Sequence, residues 1–144
     1  DQKVIIWATY VHNIHEIIGK LSEKYGSESV VSIYGEVSQQ DRMVAVDRFQ
    51  KDPKCRFFVG NPTTGGYGLT LTAAKYVIYY SNNYNLEVRL QSEDRAHRIG
   101  QTKNVVYIDI IAKDTIDERI VQALKKKIHL SAKTLGDKAK DWLL

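Results

Sequence analysis

A single cysteine, no long apolar run and little excess charge of either sign limit what this 144-residue chain can be. Cys55 alone excludes an internal disulfide partner and any cysteine-rich zinc site, and it suits a reducing interior. No apolar stretch approaches the roughly 18 residues of a membrane span, and the N-terminus has no signal-peptide pattern. The net charge of +4 permits a phosphate-bearing partner without requiring one. Internal repeats, low-complexity tracts and interdomain linkers are also absent. General disorder is excluded by a composition that is 43% hydrophobic and 26% charged. The length suits one domain able to bury roughly 70% of its unfolded surface. The chain opens "DQKVIIWA" with no initiator methionine, and is expected to be a piece of something longer.

What is present is alternation. "KVIIWAT" (3–9), "VVSIYG" (30–35), "CRFFVG" (55–60), "KYVIYYS" (75–81) and "NVVYIDIIA" (104–112) are short, continuous and rich in β-branched and aromatic residues. Such runs predict strands buried on both faces. Helices are predicted at 11–25, 39–50, 68–74, 86–98 and 115–133, with capping boxes suggested by Ser38/Asp41 and Thr115/Glu118. The order predicts an α/β three-layer sandwich, its mainly parallel sheet of five or six strands covered by helices on both faces. Residues 1–133 read as one body and 134–144 as a lysine-rich helical tail ending in Trp142, Leu143 and Leu144. That tail is expected to pack on this body or on a missing neighbour.

Ligands of such sheets bind in the loops after the strands' carboxyl ends. The candidates are Thr9–His12, Gly35–Ser38, Asn61–Thr70 and Ser81–Asn85. In "GNPTTGGYGLTLTAA", Gly65, Gly66 and Gly68 allow a sharp turn with amides exposed to an anion, while Thr63, Thr64 and Thr70 add hydroxyls. A plain glycine-rich turn is the alternative. The stretch "EVRLQSEDRAHRIGQTK" (87–103) places Gln91, Arg95 and Arg98 at i, i+4 and i+7 of a helix, on one face. Asp94–Arg98 and Glu93–His97 are i,i+4 pairs, so a salt-bridged exposed helix competes with a polyanion site.

Weaker signals read as structure. His12 and His15 lack an evident third metal ligand, and no metal site is expected. "ALKKKIHLSAK" is a solvated helix face before it is a DNA surface, and Asp117 and Glu118 are first-turn helix charges. The aromatics of "WATY" and "YVIYY" are expected in the core.

"QSEDRAHRIGQ" closely resembles motif VI of the Snf2 family of superfamily 2 helicase-like ATPases, Q-x-x-D-R-x-H-R-I-G-Q. "TTGGYGLTLTAAKYVIYYS" resembles its motif V region, "VIIWATY" its motif IV, and "IYGEVSQQDRMVAVDRFQ" the block that follows motif IV. The order and spacing hold over residues 3–125. The resemblance implies the second, C-terminal RecA-like lobe of a two-lobe motor. Neither G-x-x-x-x-G-K-[ST] nor D-E-x-H occurs; "IIGKLS" has Leu21 where Ser or Thr belongs. ATP with Mg2+ would therefore be held mainly by a missing N-terminal lobe, and this lobe alone is expected to be inactive.

By the same resemblance, Arg95 and Arg98 are arginine fingers toward the γ-phosphate, and Gln91 joins nucleotide, arginines and first lobe. Gly66, Gly68 and Thr70 approach the nucleotide, while Thr9, Gly35, Thr63 and Thr64 grip the phosphate backbone of double-stranded DNA. His97, Gly100 and Gln101 match as packing and helix-end residues. Departures fall in motif V and before motif VI. Asn61-Pro62 replaces Ser-Thr, Thr70 replaces an asparagine, and Tyr84 stands where tryptophan is common. The implied function is an ATP-dependent duplex translocase. A strand-separating DNA or RNA helicase and a non-enzymatic binding module are the alternatives. The absence of an insertion found in eukaryotic members favours a prokaryotic or viral source, cytoplasmic or nucleoid rather than nuclear.

Overall fold

Apolar side chains alternate between two faces along each strand, and the helices collect on both. The computed structural model describes residues 2–35, 37–64 and 69–135, the last five as backbone only. Five strands form one sheet: β1 (Lys3–Trp7), β2 (Val30–Ile33), β3 (Phe57–Gly60), β4 (Ala74–Tyr79) and β5 (Val106–Asp109). All neighbours are parallel, in the order β2-β3-β1-β4-β5, with Ile5 level with Phe58 on one side and Val77 on the other. Ile5, Trp7, Val31, Ile33, Phe58, Val77 and Tyr79 share one core layer. Against it lie Ala45 and Phe49 of α2 (Gln39–Lys51). Ile6, Ala8, Val30, Phe57 and Val59 face the other way, toward Ile14, Ile17 and Ile18 of α1 (Val11–Tyr25). Burying two faces is why the runs of β1 to β4 are unbroken and apolar. β5 departs from that expectation, lying at the sheet edge with Val106 and Ile108 exposed. Of the expected core aromatics, Trp7 and Tyr79 are buried, while Tyr10 and Tyr80 are exposed.

Two helix boundaries differ from expectation. Residues 69–73 form a loop and turn, not the end of a helix over 68–74. Their polar backbone is satisfied from elsewhere. The Leu71 amide donates to the Arg95 carbonyl, the Ala73 amide to Gln50 Oε1, and Gln101 Nε2 to the carbonyls of Thr72 and Ala74. No helical ladder is needed once these partners exist. The helix expected over 86–98 is α3 (Leu86–Asp94), four residues shorter, started by Asn85 Oδ1 accepting from the Val88 amide at 3.2 Å.

At the other helix starts, Ser38 Oγ accepts from the Asp41 amide at 3.1 Å and donates to its carboxylate at 2.7 Å, the expected reciprocal cap of α2. Thr115 caps α4 (Ile116–Leu135) differently, accepting from the Asp117 amide and donating to the Ala112 carbonyl. α4 buries Ile120, Val121, Leu124 and Ile128 and packs against α3. From 136 onward, the tail lies outside the described residues.

Candidate functional site

Because all five strands are parallel, their carboxyl ends open at one sheet edge. There the Thr9 amide donates to Ser81 Oγ at 2.8 Å, and Asn61 Nδ2 donates to the Thr9 carbonyl at 2.9 Å. Asn61 Oδ1 accepts from both the amide and the hydroxyl of Thr63, at 2.9 and 2.5 Å, and the Asn61 carbonyl accepts from the Thr64 amide. One asparagine thus fixes the loops that carry Thr9, Thr63 and Thr64. Thr63 is exposed, whereas Thr9 Oγ1 is turned inward with no partner among the described residues. Gly35 lies in an exposed turn after β2 and is not tied to this group by any side-chain contact. Gly65, Gly66 and Gly68 lie outside the described residues.

The arginine segment is reached through α3. Since that helix stops at Asp94, Arg95 and Arg98 do not share a helical face with Gln91, which instead donates to Glu87 Oε1 at 3.2 Å. Arg95 is 6% exposed, its guanidinium 5.2 Å from the Trp7 ring centre. Burial holds its pKa below the usual guanidinium value, partly opposed by Tyr79. Arg98 is exposed, with Nη1 3.4 Å from Thr70 Oγ1. His97 is exposed, its amide bonded to the Glu93 carbonyl. Gly100 turns the chain at φ +100°, and Gln101 Nε2 then reaches the carbonyls of Thr72, Ala74 and Ala96 at 2.9, 3.3 and 3.0 Å. The "GQ" pair is a turn followed by a staple. Arg95, Arg98 and Thr70 are therefore brought together, next to where the glycine-rich segment ends.

The i,i+4 pair seen in this segment is one the spacing argument did not single out. Glu93 pairs with Arg89, Nε to Oε1, at 2.6 Å and almost out of solvent. Arg89 Nη1 also meets Asp109 Oδ1 at 2.6 Å and Asn82 Oδ1 at 2.8 Å. Burial works against the Arg89 charge, but its bonds to Asp109 and Glu93 outweigh it and raise the pKa. Tyr79 beneath it and Tyr107 beside it are pushed well above the normal phenol value, chiefly by burial. The Arg89–Glu93 spacing was readable in the sequence; the partnership with Asp109 was not.

Tyr10 stacks on His12, and His15 meets Tyr34 edge-on. Among the described residues no three His, Cys, Asp or Glu side chains cluster as a metal site would need. No described helix is long and apolar enough to cross a membrane.

A RecA-like parallel sheet whose arginine segment is bonded to the residues that follow a glycine-rich sequence is the arrangement of a C-terminal lobe of a helicase-like motor. The family model "Helicase conserved C-terminal domain" matches residues 1–100. The chain is 34% identical to the ATP-dependent helicase FUN30 of Saccharomyces cerevisiae over 96% of its own length and 12% of the relative's. It is 33% identical to the chromatin-remodeling ATPase INO80 of Candida albicans over 78% of the chain and 8% of that protein. A crystal structure of the C-terminal part of the Fun30 ATPase domain superposes with a TM-score of 0.78 at 31% identity, covering 85% of this chain and 39% of that one. The chain belongs to the helicase conserved C-terminal domain family, as a C-terminal lobe of the Snf2 type.

One expectation is overturned. Relatives from yeasts, human and Arabidopsis thaliana, several bearing chromatin-remodelling names, oppose a prokaryotic or viral source favoured over the nucleus. An absent insertion was a poor guide, because surface loops gain and lose segments without disturbing the fold.

Proposed function

We propose that this chain is the second motor lobe of an Snf2-type, ATP-dependent double-stranded DNA translocase. ATP and Mg2+ bind mainly on an N-terminal RecA-like lobe of the same polypeptide. The observation that carries this reading is the junction at Thr70–Leu71. Arg98 Nη1 lies 3.4 Å from Thr70 Oγ1, and the Leu71 amide bonds the Arg95 carbonyl at 2.9 Å. An exposed guanidinium is thereby held beside the end of a glycine-rich, anion-suited segment.

The donor set fits a triphosphate. Arg98 offers a permanently charged fork that a phosphate on a neighbouring lobe can meet, stabilising charge that builds on the phosphoryl oxygens during transfer. Arg95, buried against Trp7, reaches the same phosphate only by changing rotamer. Gln91, with Gly66, Gly68 and Thr70, borders the nucleotide. With no phosphate-binding loop and no D-E-x-H, this lobe alone turns over no ATP. Thr9, Gly35, Thr63 and Thr64 lie along the DNA backbone without reading sequence. The Thr9, Thr63 and Thr64 amides and the Thr63 hydroxyl are donated within this sheet edge, so a phosphate takes them up only in exchange for those internal bonds. Residues 134–144 pack on this or the first lobe.

The test is steady-state ATPase of the two-lobe parent, wild type against Arg98→Ala, without nucleic acid and with duplex DNA, single-stranded DNA or RNA. Duplex stimulation that falls about a thousandfold in the mutant supports the motor. Preference for RNA or single strands favours the helicase alternative. An unaffected mutant leaves only a binding module.

A further inference from the structure

Arg89 is 7% exposed and charged, and none of the roles above uses it. Its Nε donates to Glu93 Oε1 at 2.6 Å, Nη1 to Asp109 Oδ1 at 2.6 Å and Asn82 Oδ1 at 2.8 Å, and Nη2 to Asp109 Oδ2 at 3.1 Å. The guanidinium centre sits 3.5 Å from the centroid of the Tyr79 ring, and Tyr79 in turn bonds Ser92 of α3 at 2.7 Å. One side chain thus joins α3 to the end of β4, to the edge strand β5 and to the loop after β4.

A buried ion network is a weak device for stability, since desolvation offsets most of the attraction and apolar filling often does as well. What it provides is orientation: a planar fork shared by a bidentate carboxylate and an aromatic face accepts one pose. Only the end of α3 separates this anchor from Arg95, whose carbonyl is fixed to Leu71. Asn82 adds a second connection. It follows Ser81, whose hydroxyl holds the Thr9 amide, and the Thr9 carbonyl is held by the Asn61 that also holds Thr63. Hydrogen bonds therefore run from the exposed Thr63 loop to the arginine-bearing helix.

We propose that Arg89 is a positioning residue, setting α3 and with it the Arg95–Arg98 segment against the sheet, with Asn82 linking that setting to the Thr9 and Thr63 loops. This goes one step beyond the reading of Arg98 given above and rests on it.

The experiment measures kcat and KM for ATP in the two-lobe parent at saturating duplex DNA, with unfolding midpoints as the check on folding. Arg89→Lys keeps the buried charge but cannot hold four oxygens in a planar fork. The triple variant Arg89→Met/Glu93→Gln/Asp109→Asn removes the charges together, so no carboxylate is left buried alone. Both are expected to stay folded and to lose about a hundredfold in kcat, as a misplacement of about 1 Å does, with KM nearly unchanged. Combining either with Arg98→Ala is expected to cost less than the sum of the separate losses, because both act on one group. A folded variant at wild-type kcat, beside an Arg98→Ala that has collapsed, overturns the inference. So does failure of both variants to fold, which assigns the network to stability alone. A wild-type rate in Arg98→Ala instead removes the reading underneath, and this inference with it.

Discussion

The amide of Leu71 donates to the carbonyl of Arg95 at 2.9 Å, so the exit of the glycine-rich segment and the start of the arginine segment are one hydrogen-bonded unit. Gln101 closes the unit from the far side, and Gln50 of α2 braces it through Thr72 Oγ1 and the Ala73 amide. Loops that carry function are exposed and mobile unless such contacts hold them. Here two glutamines do the holding.

Replacing Gln101 by methionine keeps the side-chain volume and removes its bonds to Thr72, Ala74 and Ala96. Half-buried carbonyls then lose their donor, at an expected cost of about 2–3 kcal/mol. Denaturant unfolding of the chain measures it. A loss below about 0.5 kcal/mol would mean that water replaces the amide freely and that the staple holds nothing.

Two glycines should respond to alanine for different reasons. Gly100 has φ +100° with open space around a built Cβ, so only backbone strain opposes substitution, about 1–2 kcal/mol. At Gly60 the new carbon would sit 2.6 Å from the Ile33 carbonyl and 3.2 Å from the Trp7 ring, and the clash is with backbone. Strands β2 and β3 must part, which costs about 3 kcal/mol. Gly60→Ala should therefore lower the unfolding midpoint more than Gly100→Ala; the reverse order would contradict the close packing between those strands.

The parallel sheet was legible because strands buried on both faces leave unbroken runs such as "RFFVG" and "YVIYY". The end of α3 was not. Polar residues at i, i+4 and i+7 continue a helical pattern through Arg98, but the Arg95 carbonyl is taken by the Leu71 amide, 24 positions away in sequence and invisible to any local count. The same holds for Arg89, whose main carboxylate partner is twenty residues distant. Local spacing put Gln91, Arg95 and Arg98 on one helical face, whereas α3 ends before both arginines and Gln91 turns to Glu87. Arg95 is buried against the Trp7 ring, while Arg98 stays exposed beside Thr70.

Cys55 is fully buried, and burial raises its thiol pKa, with Lys3 nearby opposing the shift. A disulfide reagent at pH 8 should react slowly with the native chain and at once in denaturant. The sign for stability follows: the folded state keeps the proton to higher pH, so this contribution is complete below the ordinary thiol value of 9.0 and falls as pH rises past it. Lys3 is shifted down by burial and acts in the opposite direction, gaining stability up to its ordinary 10.5. The comparison is therefore with Cys55→Ala, whose unfolding midpoint should fall less above pH 9 than that of the wild type. Equal alkaline losses would show that the thiol takes no part.

Asn61 should matter more to DNA binding than the threonine it orients. Thr63→Ala removes one hydroxyl from the exposed edge, an expected loss of about 1 kcal/mol, or roughly fivefold in affinity. Asn61→Ala releases both the Thr63 turn and the Thr9 carbonyl, so two loops lose their setting together. Its loss should be the larger of the two. Binding of the two-lobe parent to two duplexes of unrelated sequence, across a salt series, separates the possibilities. Contacts to the backbone alone weaken both duplexes equally, while affinity throughout falls with salt as counterions compete. A loss confined to one duplex would place these side chains on base edges, and an unchanged Asn61→Ala would move the DNA away from this end of the sheet.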